Sequence, residues 1–249
     1  KIKSRKNLNN VVFRPSGVEV GNLEKSKHEL SFVIDKPTKI IVEPDGKNSP
    51  LFLFGNSVDA FVPDLNDPNL VYYGPGIYHP QDAIINLEDN QTLYVDKGAV
   101  IKGGIRVKGD NITICGRGII CGNEFVWGQF ARSLISVEAS SNVVIKDIIL
   151  RGSATWTIPI RNSKNVTIDN VKIVGGRAQN DDGINPCNSQ DILITNCFIR
   201  TDDDCIALKG LERGSSNDNV ERIRVNNSIL WCDRARIFLL GHESRAGYM

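Results

Sequence analysis

The sequence lacks several features that would place it in a familiar functional class at once. It contains no run of about 18 apolar residues, the length that a helix needs to span a membrane. Its 30 basic and 29 acidic residues give a net charge of +1, which leaves no basic surface for nucleic acid. No useful stretch carries the apolar period of an amphipathic helix. These absences argue against membrane-spanning and nucleic-acid-binding proteins and predict an all-β fold.

Cysteine is also scarce. The six cysteines are too few for a disulfide scaffold, and Cys115 and Cys121 lack the spacing of a zinc-binding pair. Most of them are interpreted as small, buried apolar residues, and they leave the redox compartment open. The sequence has no signal peptide and begins at Lys1, from which we expect that an upstream segment was removed or left out.

Residues 1–62 alternate short apolar runs with turn signals. The runs are 10–13, 28–34, 38–43 and 51–54. Short strands separated by proline and glycine turns predict a small antiparallel β-sandwich. Residues 63–80 are rich in proline, glycine and asparagine, and we interpret them as a connector between two domains.

The remainder, residues 81–249, repeats a short pattern. A polar residue followed by apolar-any-apolar recurs from Asn111, Asn142, Asn165, Asp191 and Arg222. Repeats of about 20–30 residues without helical portions predict the coils of a right-handed parallel β-helix. Inward residues such as Val166 and Ile168, or Ile192 and Ile194, should then stack into aliphatic ladders.

Several coil starts also match the N-glycosylation pattern. Asn90, Asn111, Asn165 and Asn226 each begin an Asn-x-Ser/Thr triplet. Three of the four stand at a coil start, where asparagine can adopt a tight turn and hydrogen-bond the neighbouring coil. We interpret these asparagines as structural.

Five aspartates fall in two clusters, 181–182 and 202–204. Aligning the coils by their strands places Asp182 on Asp204 and Asp181 on Asp203. Neighbouring strands lie about 4.8 Å apart, so at least four carboxylates should crowd one patch.

Crowded carboxylates have a direct chemical use. Like charges at this distance raise the pKa of at least one group, which can then hold a proton near neutral pH. Glycoside hydrolysis needs one protonated acid and one carboxylate that activates water. A calcium site and a solvated acidic turn are the alternatives.

Three motifs in successive coils carry a family resemblance. Asn180–Ile184, Asp203–Ile206 and Gly241-His242 resemble the signature of the polygalacturonase-like glycoside hydrolases. The coil pattern extends this resemblance over about residues 71–249, and the amino-terminal part is similar to bacterial members and to the dextranase and isopullulanase relatives. The resemblance implies a right-handed β-helix, a secreted or periplasmic location, and inverting hydrolysis of a polysaccharide without a cofactor or metal.

The resemblance also implies roles for individual residues. Asp203 matches the general acid, and Asp182 and Asp204 match the pair that activates water. His242 matches a histidine that tunes the acid, and Asn180 matches a substrate-contacting residue. A pectic substrate is favoured; a dextranase-like hydrolase of a neutral glycan, a lyase and a non-catalytic binding solenoid are the alternatives.

Further substrate-binding candidates depart from the family pattern or lie near it. Asp181 stands where the family usually has threonine, and Glu243 replaces the second glycine of Gly-His-Gly. Trp156, one coil before Asp182, is a candidate for stacking on a sugar, with packing as the alternative. Lys209 and Arg245 either contact substrate or neutralise the acids.

Other features stay open at this stage. Trp127 and Trp231 are interpreted as structural, and Cys205 matches a cysteine that is often disulfide-bonded in the family. No other cysteine falls directly above or below it. The Arg-x-Lys motif that grips a galacturonate carboxylate is not found before Met249. An uncovered sheet end one coil past the site would be exposed, so we expect a missing carboxyl-terminal segment that completes the β-helix.

Overall fold

The computed structural model describes residues 1–44, 46–47, 49–58, 61, 63–127, 133–176, 178–213 and 219–249. The chain divides into two compact units, Lys1–Val62 and Pro63–Met249. Within the described ranges, no helix is long and apolar enough to cross a membrane.

The amino-terminal unit contains two three-stranded antiparallel sheets. The first is ordered β1 (Ile2–Lys3), β4 (Glu29–Val33), β3 (Gly21–Lys25), and the second β2 (Val12–Arg14), β5 (Thr38–Glu43), β6 (Leu51–Gly55). Leu8, Leu30, Ile40 and Val42 form its small buried core. These two sheets support the predicted β-sandwich in part.

The second unit is built from three parallel sheets of seven strands each. The first sheet contains β7 (Leu70–Tyr73), β10 (Thr92–Val95), β13 (Thr113–Gly116), β16 (Ser141–Lys146), β19 (Lys164–Asp169), β22 (Gln190–Thr195) and β25 (Glu221–Asn226). The second contains β8 (Gly76–Tyr78), β11 (Ala99–Lys102), β14 (Ile119–Cys121), β17 (Ile149–Arg151), β20 (Lys172–Val174), β23 (Phe198–Thr201) and β26 (Ile229–Cys232). The third contains β9 (Ile84–Leu87), β12 (Gly104–Val107), β15 (Ile135–Glu138), β18 (Ile158–Arg161), β21 (Ile184–Cys187), β24 (Ala207–Gly210) and β27 (Leu239–Ser244).

Each coil contributes one strand to each sheet, and the strands stack in sequence order. This arrangement confirms the predicted all-β fold with a right-handed parallel β-helix. The described part contains one helical segment, a single 3₁₀ turn at Gln81–Ala83. We number the coils 1 to 7 from the amino-terminal end.

The first coil begins inside the stretch that the sequence predicts as a connector. Leu70 pairs with Thr92 and Gly76 with Ala99, so residues 70–78 already belong to the β-helix. Gly74 and Pro75 lie at the corner between two short strands. Proline and glycine mark that corner, and the strands on either side are too short to stand out in the sequence.

The interior of the β-helix contains the predicted aliphatic ladders. Val166 pairs with Ile192 and Ile168 with Ile194, and all four side chains are buried in one continuous core. Burying such side chains contributes about 1.5–3 kcal/mol each, before the cost of ordering the chain. The repeated apolar-any-apolar pattern therefore supplies the main stabilisation of the solenoid.

A ladder of asparagines runs along one corner of the coils. The side-chain amide of Asn111 donates to Asn90 (3.1 Å), that of Asn142 to Asn111 (2.9 Å), and that of Asn165 to Asn142 (2.6 Å). Asn90, Asn111, Asn142 and Asn165 all have positive φ angles, between 53° and 64°. Asparagine tolerates this backbone region better than most residues, and the structure confirms the structural interpretation of the coil-start asparagines.

Candidate active site

The acidic clusters lie on successive turns at one corner, between the second and third sheets. The described residues of these turns are 175–176 and 178–183 in coil 5, 202–206 in coil 6 and 233–238 in coil 7. Ile184 bridges to Ile206, and the Gly183 N–H donates to the Asp204 carbonyl oxygen at 2.9 Å. This register stacks Asp182 on Asp204, as the repeat predicts.

Gly183 permits this close stacking of coils 5 and 6. A Cβ atom at this position would lie 2.4 Å from the Cys205 carbonyl oxygen. Any larger residue would push the two coils apart and separate the acidic clusters. The Asp-Gly-Ile motif therefore has a packing reason as well as a chemical one.

Asp182 lies at the floor of the site and is only 2% exposed. Its Oδ2 accepts a hydrogen bond from Asn185 Nδ2 (2.7 Å) and lies 3.4 Å from Lys209 Nζ. Burial raises the pKa of Asp182 to about 6, although Lys209 and Asn185 act to lower it. At neutral pH the group is therefore mostly ionised and close to its titration point.

Lys209 links three groups of the site. Its Nζ lies 3.4 Å from Asp182, 3.0 Å from Glu243 Oε2 and 4.5 Å from the centre of the Trp156 ring. Burial alone would lower the pKa of Lys209, but the two carboxylates outweigh it and raise that pKa. The position favours the interpretation that Lys209 neutralises the acids, because its side chain is only 5% exposed.

Two cationic side chains pack against the Trp156 ring. Lys209 and Arg161, whose guanidinium carbon is 5.6 Å from the ring centre, both lie over the indole. Cation–π contacts of this kind are attractive when the cation is desolvated. Of the two roles that the sequence leaves open for Trp156, the structure thus favours packing over stacking on a sugar.

Asp203 is the more accessible acid. Its Oδ2 accepts the Asn180 N–H at 3.2 Å, and its Oδ1 accepts the Asp204 N–H at 3.0 Å. Asn180 has a φ of 59° and reaches Asp203 through its backbone. The two hydrogen bonds orient a carboxylate that remains partly exposed to solvent.

Asp204 is 6% exposed, and its Oδ1 accepts the Arg236 N–H at 3.1 Å. Burial and, second, the charge of Asp203 raise the pKa of Asp204. The three aspartates therefore occupy three environments: one buried beside a cation, one buried against backbone, and one partly exposed.

Asp181, a substrate-binding candidate in the sequence, lies in the interior of the protein instead. It is fully buried, its Oδ2 accepts the Gly176 N–H (2.7 Å), and its Oδ1 accepts those of Asp202 (2.8 Å) and Asp203 (3.0 Å). A carboxylate that satisfies three backbone donors and reaches no solvent is not placed to bind substrate. It joins the turn of coil 5 to that of coil 6 and holds the backbone of Asp203.

The Gly241-His242-Glu243 segment forms a bulge. Leu208 pairs with Leu240 but Gly210 with Ser244, so three residues lie opposite Lys209. Gly241 and His242 have φ angles of 110° and 67°. The bulge brings Glu243 to Lys209 and leaves the His242 side chain exposed.

Two sequence candidates are therefore not joined directly to the acids. Within the described part of the chain, no hydrogen bond or ion pair connects the side chains of His242 or Arg245 to the aspartates. Arg245 is exposed and contacts coil 6 through its backbone N–H, which donates to Gly210 at 2.7 Å. No group of three or more described His, Cys, Asp or Glu residues could hold a metal ion.

The cysteines near the site are thiols. Cys205 Sγ lies 3.3 Å from Thr201 Oγ1, and Cys232 Sγ donates to the Asp203 carbonyl oxygen at 3.1 Å. Cys232 stands opposite Thr201 in the sheet register rather than opposite Cys205. Both thiols support the turn that carries Asp203.

The sequence did not indicate that Trp127 lies near the site. Trp127, taken as structural, donates from Nε1 to the Gln179 carbonyl oxygen at 2.8 Å, beside Asn180. Its turn lies in coil 3, two coils from Asp182. No repeat signal could have placed it there, because Trp127 lies outside the apolar-any-apolar repeat.

A right-handed β-helix with three aspartates on adjacent coils defines the class of protein: a β-helical enzyme scaffold of the glycoside hydrolase type. The sequence matches the model of glycosyl hydrolases family 28 over residues 96–227, which is more than half of the chain. This chain belongs to glycosyl hydrolases family 28.

Individual relatives agree with this assignment. A probable polygalacturonase of Vitis vinifera is 33% identical over 107 residues, covering 41% of this chain and 22% of that protein. The family 28 exopolygalacturonase of Yersinia enterocolitica is 15% identical with a TM-score of 0.56, covering 82% of this chain and 56% of that one. Dex49A from Penicillium minioluteum is 14% identical with a TM-score of 0.57, covering 89% and 55%. The two structures show the shared fold, and this chain spans just over half of each.

Proposed function

We propose that this protein hydrolyses glycosidic bonds in a polysaccharide of the pectic type, with inversion at the anomeric carbon. The observation that carries the proposal is the stacking of buried Asp182 and Asp204 beside partly exposed Asp203. Membership of family 28 supports hydrolysis, and the polygalacturonase name of a relative favours a pectic substrate. Because such substrates lie outside the cytoplasm, the proposal includes a secreted or periplasmic location.

The proposed mechanism is a single displacement. Asp203 donates a proton to the glycosidic oxygen, and the bond from that oxygen to the anomeric carbon breaks. Asp182 and Asp204 hold a water on the opposite face of the sugar and accept its proton as the oxygen attacks. A pKa of about 6 for Asp182 suits a base that must be ionised near neutral pH.

Lys209 and Asp181 have supporting parts in this mechanism. Lys209 compensates the negative charge of buried Asp182, which would otherwise be costly to ionise. Asp181 positions the Asp203 backbone and does not meet substrate. Asn180 remains a substrate-contacting candidate, because it is partly exposed on the same turn as Asp182.

The deciding experiment is the release of reducing sugar from polygalacturonate, dextran and galactan. Asp203→Asn should abolish release while circular dichroism and the melting temperature stay unchanged. Asp202→Asn is the matched control, because Asp202 directs its side chain to Arg234 (3.4 Å) and has no part in the mechanism. A fully active Asp203→Asn protein would sink the assignment of the acid.

Inversion has its own test. The anomer released first should have the opposite configuration to the bond cleaved, as followed by proton NMR during early turnover. Inverting enzymes separate the acid and base carboxyl groups by about 6.5–9.5 Å, so that water fits between them. Release of the retained anomer would replace the proposed displacement by a covalent mechanism.

One observation favours a neutral glycan as the second candidate. The cation at the floor of the site, Lys209, is already paired with Asp182 and Glu243 and is nearly buried. It is therefore poorly placed to bind a uronate carboxylate. Activity on dextran or galactan without activity on polygalacturonate would select this alternative.

A further inference from the structure

The three tryptophans of this chain have unequal surroundings. Trp156 lies under Lys209 and Arg161, and Trp231 lies under Arg200 at 4.5 Å with its Nε1 bonded to Asp233 at 3.1 Å. Trp127 is 53% exposed, and among the described residues no ring or cation lies over it. The most accessible of the three rings thus belongs to Trp127, one of the two tryptophans that the sequence predicts to be structural.

Trp127 is held beside the acidic site. It belongs to the turn between β14 and β15 in coil 3, at the same corner as the acidic clusters in coils 5 and 6. Its Nε1–H donates to the Gln179 carbonyl oxygen in coil 5 (2.8 Å), one residue before Asn180. The indole therefore extends along the corner past the level of coil 4, towards the acids.

This hydrogen bond leaves the Trp127 ring suited to stacking on a sugar. The one polar atom of the indole is satisfied by backbone, so what remains for a ligand is the flat apolar ring. Rigid aromatic rings with a satisfied polar end are effective binding surfaces, because they bury much area at little entropic cost.

We propose that Trp127 is a stacking platform for a pyranose ring of the glycan, at a subsite on the coil 3 side of the acids. The backbone of Trp127 lies two coils, about 10 Å, from Asp182 along the β-helix axis, and the indole reaches across that gap to Gln179. A sugar chain that occupies the acids therefore covers Trp127 only when it extends beyond them towards coil 3. The inference rests on the proposed function, since it assigns a subsite to the same cleft.

The test measures binding against ligand length. Calorimetric affinities are determined for oligogalacturonides and isomaltooligosaccharides of two to six sugars, in an Asp203→Asn background that prevents turnover. Trp127→Ala should weaken binding of the hexasaccharide about tenfold and leave the disaccharide unchanged. Trp127→Phe should retain most of the affinity, because the ring remains.

Val126→Ala is the matched control, since it removes an exposed apolar side chain from the adjacent position. Equal melting temperatures for all variants exclude unfolding as the cause. Unchanged affinity in Trp127→Ala, an equal loss at every ligand length, or no binding of either series by the parent protein would overturn the proposal.

The outcomes also separate this proposal from the proposed function. Length-dependent binding through Trp127 in a protein that releases no reducing sugar would keep the platform and reject hydrolysis. Hydrolysis with a KM that Trp127→Ala does not change, even for long substrates, would keep the enzyme and reject the platform.

Discussion

Lys209 and Asp182 form an ion pair of 3.4 Å in which the side chains are only 5% and 3% exposed. Glu243 shares the same ammonium group at 3.0 Å. A buried pair of this kind is costly to form and more costly to break, because removing one partner leaves the other charge unpaired. The pair therefore couples the ionisation of Asp182 to residues on two neighbouring coils.

The first prediction concerns the pH dependence of hydrolysis. If Asp182 acts as the base, kcat/KM should fall as the pH drops through its pKa of about 6. Lys209→Met removes the cation that lowers this pKa, so the acid limb should move to higher pH by about one unit or more. Glu243→Gln removes a competing carboxylate and should move the limb the other way. If the acid limb of the kcat/KM profile lies at the same pH in the parent and in both variants, Lys209 and Glu243 do not influence the pKa of Asp182.

The second prediction concerns how the Asp182 carboxyl group makes the free energy of unfolding depend on pH. Its pKa is raised from 3.8 to about 6 in the folded protein, so folding favours the protonated form. The stability that this group contributes below pH 4 is lost as the pH rises through about 6, at a cost of about 3 kcal/mol. Urea unfolding at pH 5 and pH 7 should show about 1 kcal/mol of this loss in the parent but not in Asp182→Asn, because the rest of the loss already occurs below pH 5. Parallel stability curves for the two proteins would contradict the prediction.

The third prediction concerns Asp181. Asp181→Ala leaves the N–H groups of Gly176, Asp202 and Asp203 without their acceptor, which should cost about 3 kcal/mol or more. Asp181→Asn should cost less, because the amide oxygen can still accept from Asp202 and Asp203. In both, kcat should fall with little change in KM, since the substrate is not contacted. A selective rise in KM would return Asp181 to the substrate-binding residues.

The fourth prediction separates the two contributions of the asparagine ladder. Asn142 has a φ of 58°, and its amide bonds Asn111 and Asn165. Asn142→Gly tolerates the positive φ and loses only the ladder hydrogen bonds. Asn142→Ala loses those hydrogen bonds and also strains the backbone. We expect a loss of about 1–2 kcal/mol for glycine and about 1 kcal/mol more for alanine, measured by urea unfolding. Equal losses would show that backbone strain has no part.

Much of the fold follows from local pattern. The apolar-any-apolar repeat specifies inward-facing ladders, and its spacing specifies one coil per repeat, as the pairing of Val166 with Ile192 confirms. The strands at residues 70–78 were predicted as a connector rather than as part of the first coil, because they have only three or four residues between proline and glycine turns. In a stretch that short, turn signals outweigh the alternation of two or three apolar residues.

The repeat in the sequence specifies the solenoid, its register and hence the stacking of Asp182 on Asp204, because period and backbone pairing fix which residues face each other. The surroundings of each side chain, by contrast, follow from tertiary contacts that the repeat does not specify. Whether Asp181 meets solvent or three backbone amides, and whether Trp156 or Trp127 has the more exposed ring, depends on turns of unequal length. Those turns place groups from different coils against one another, and no repeat pattern encodes such contacts.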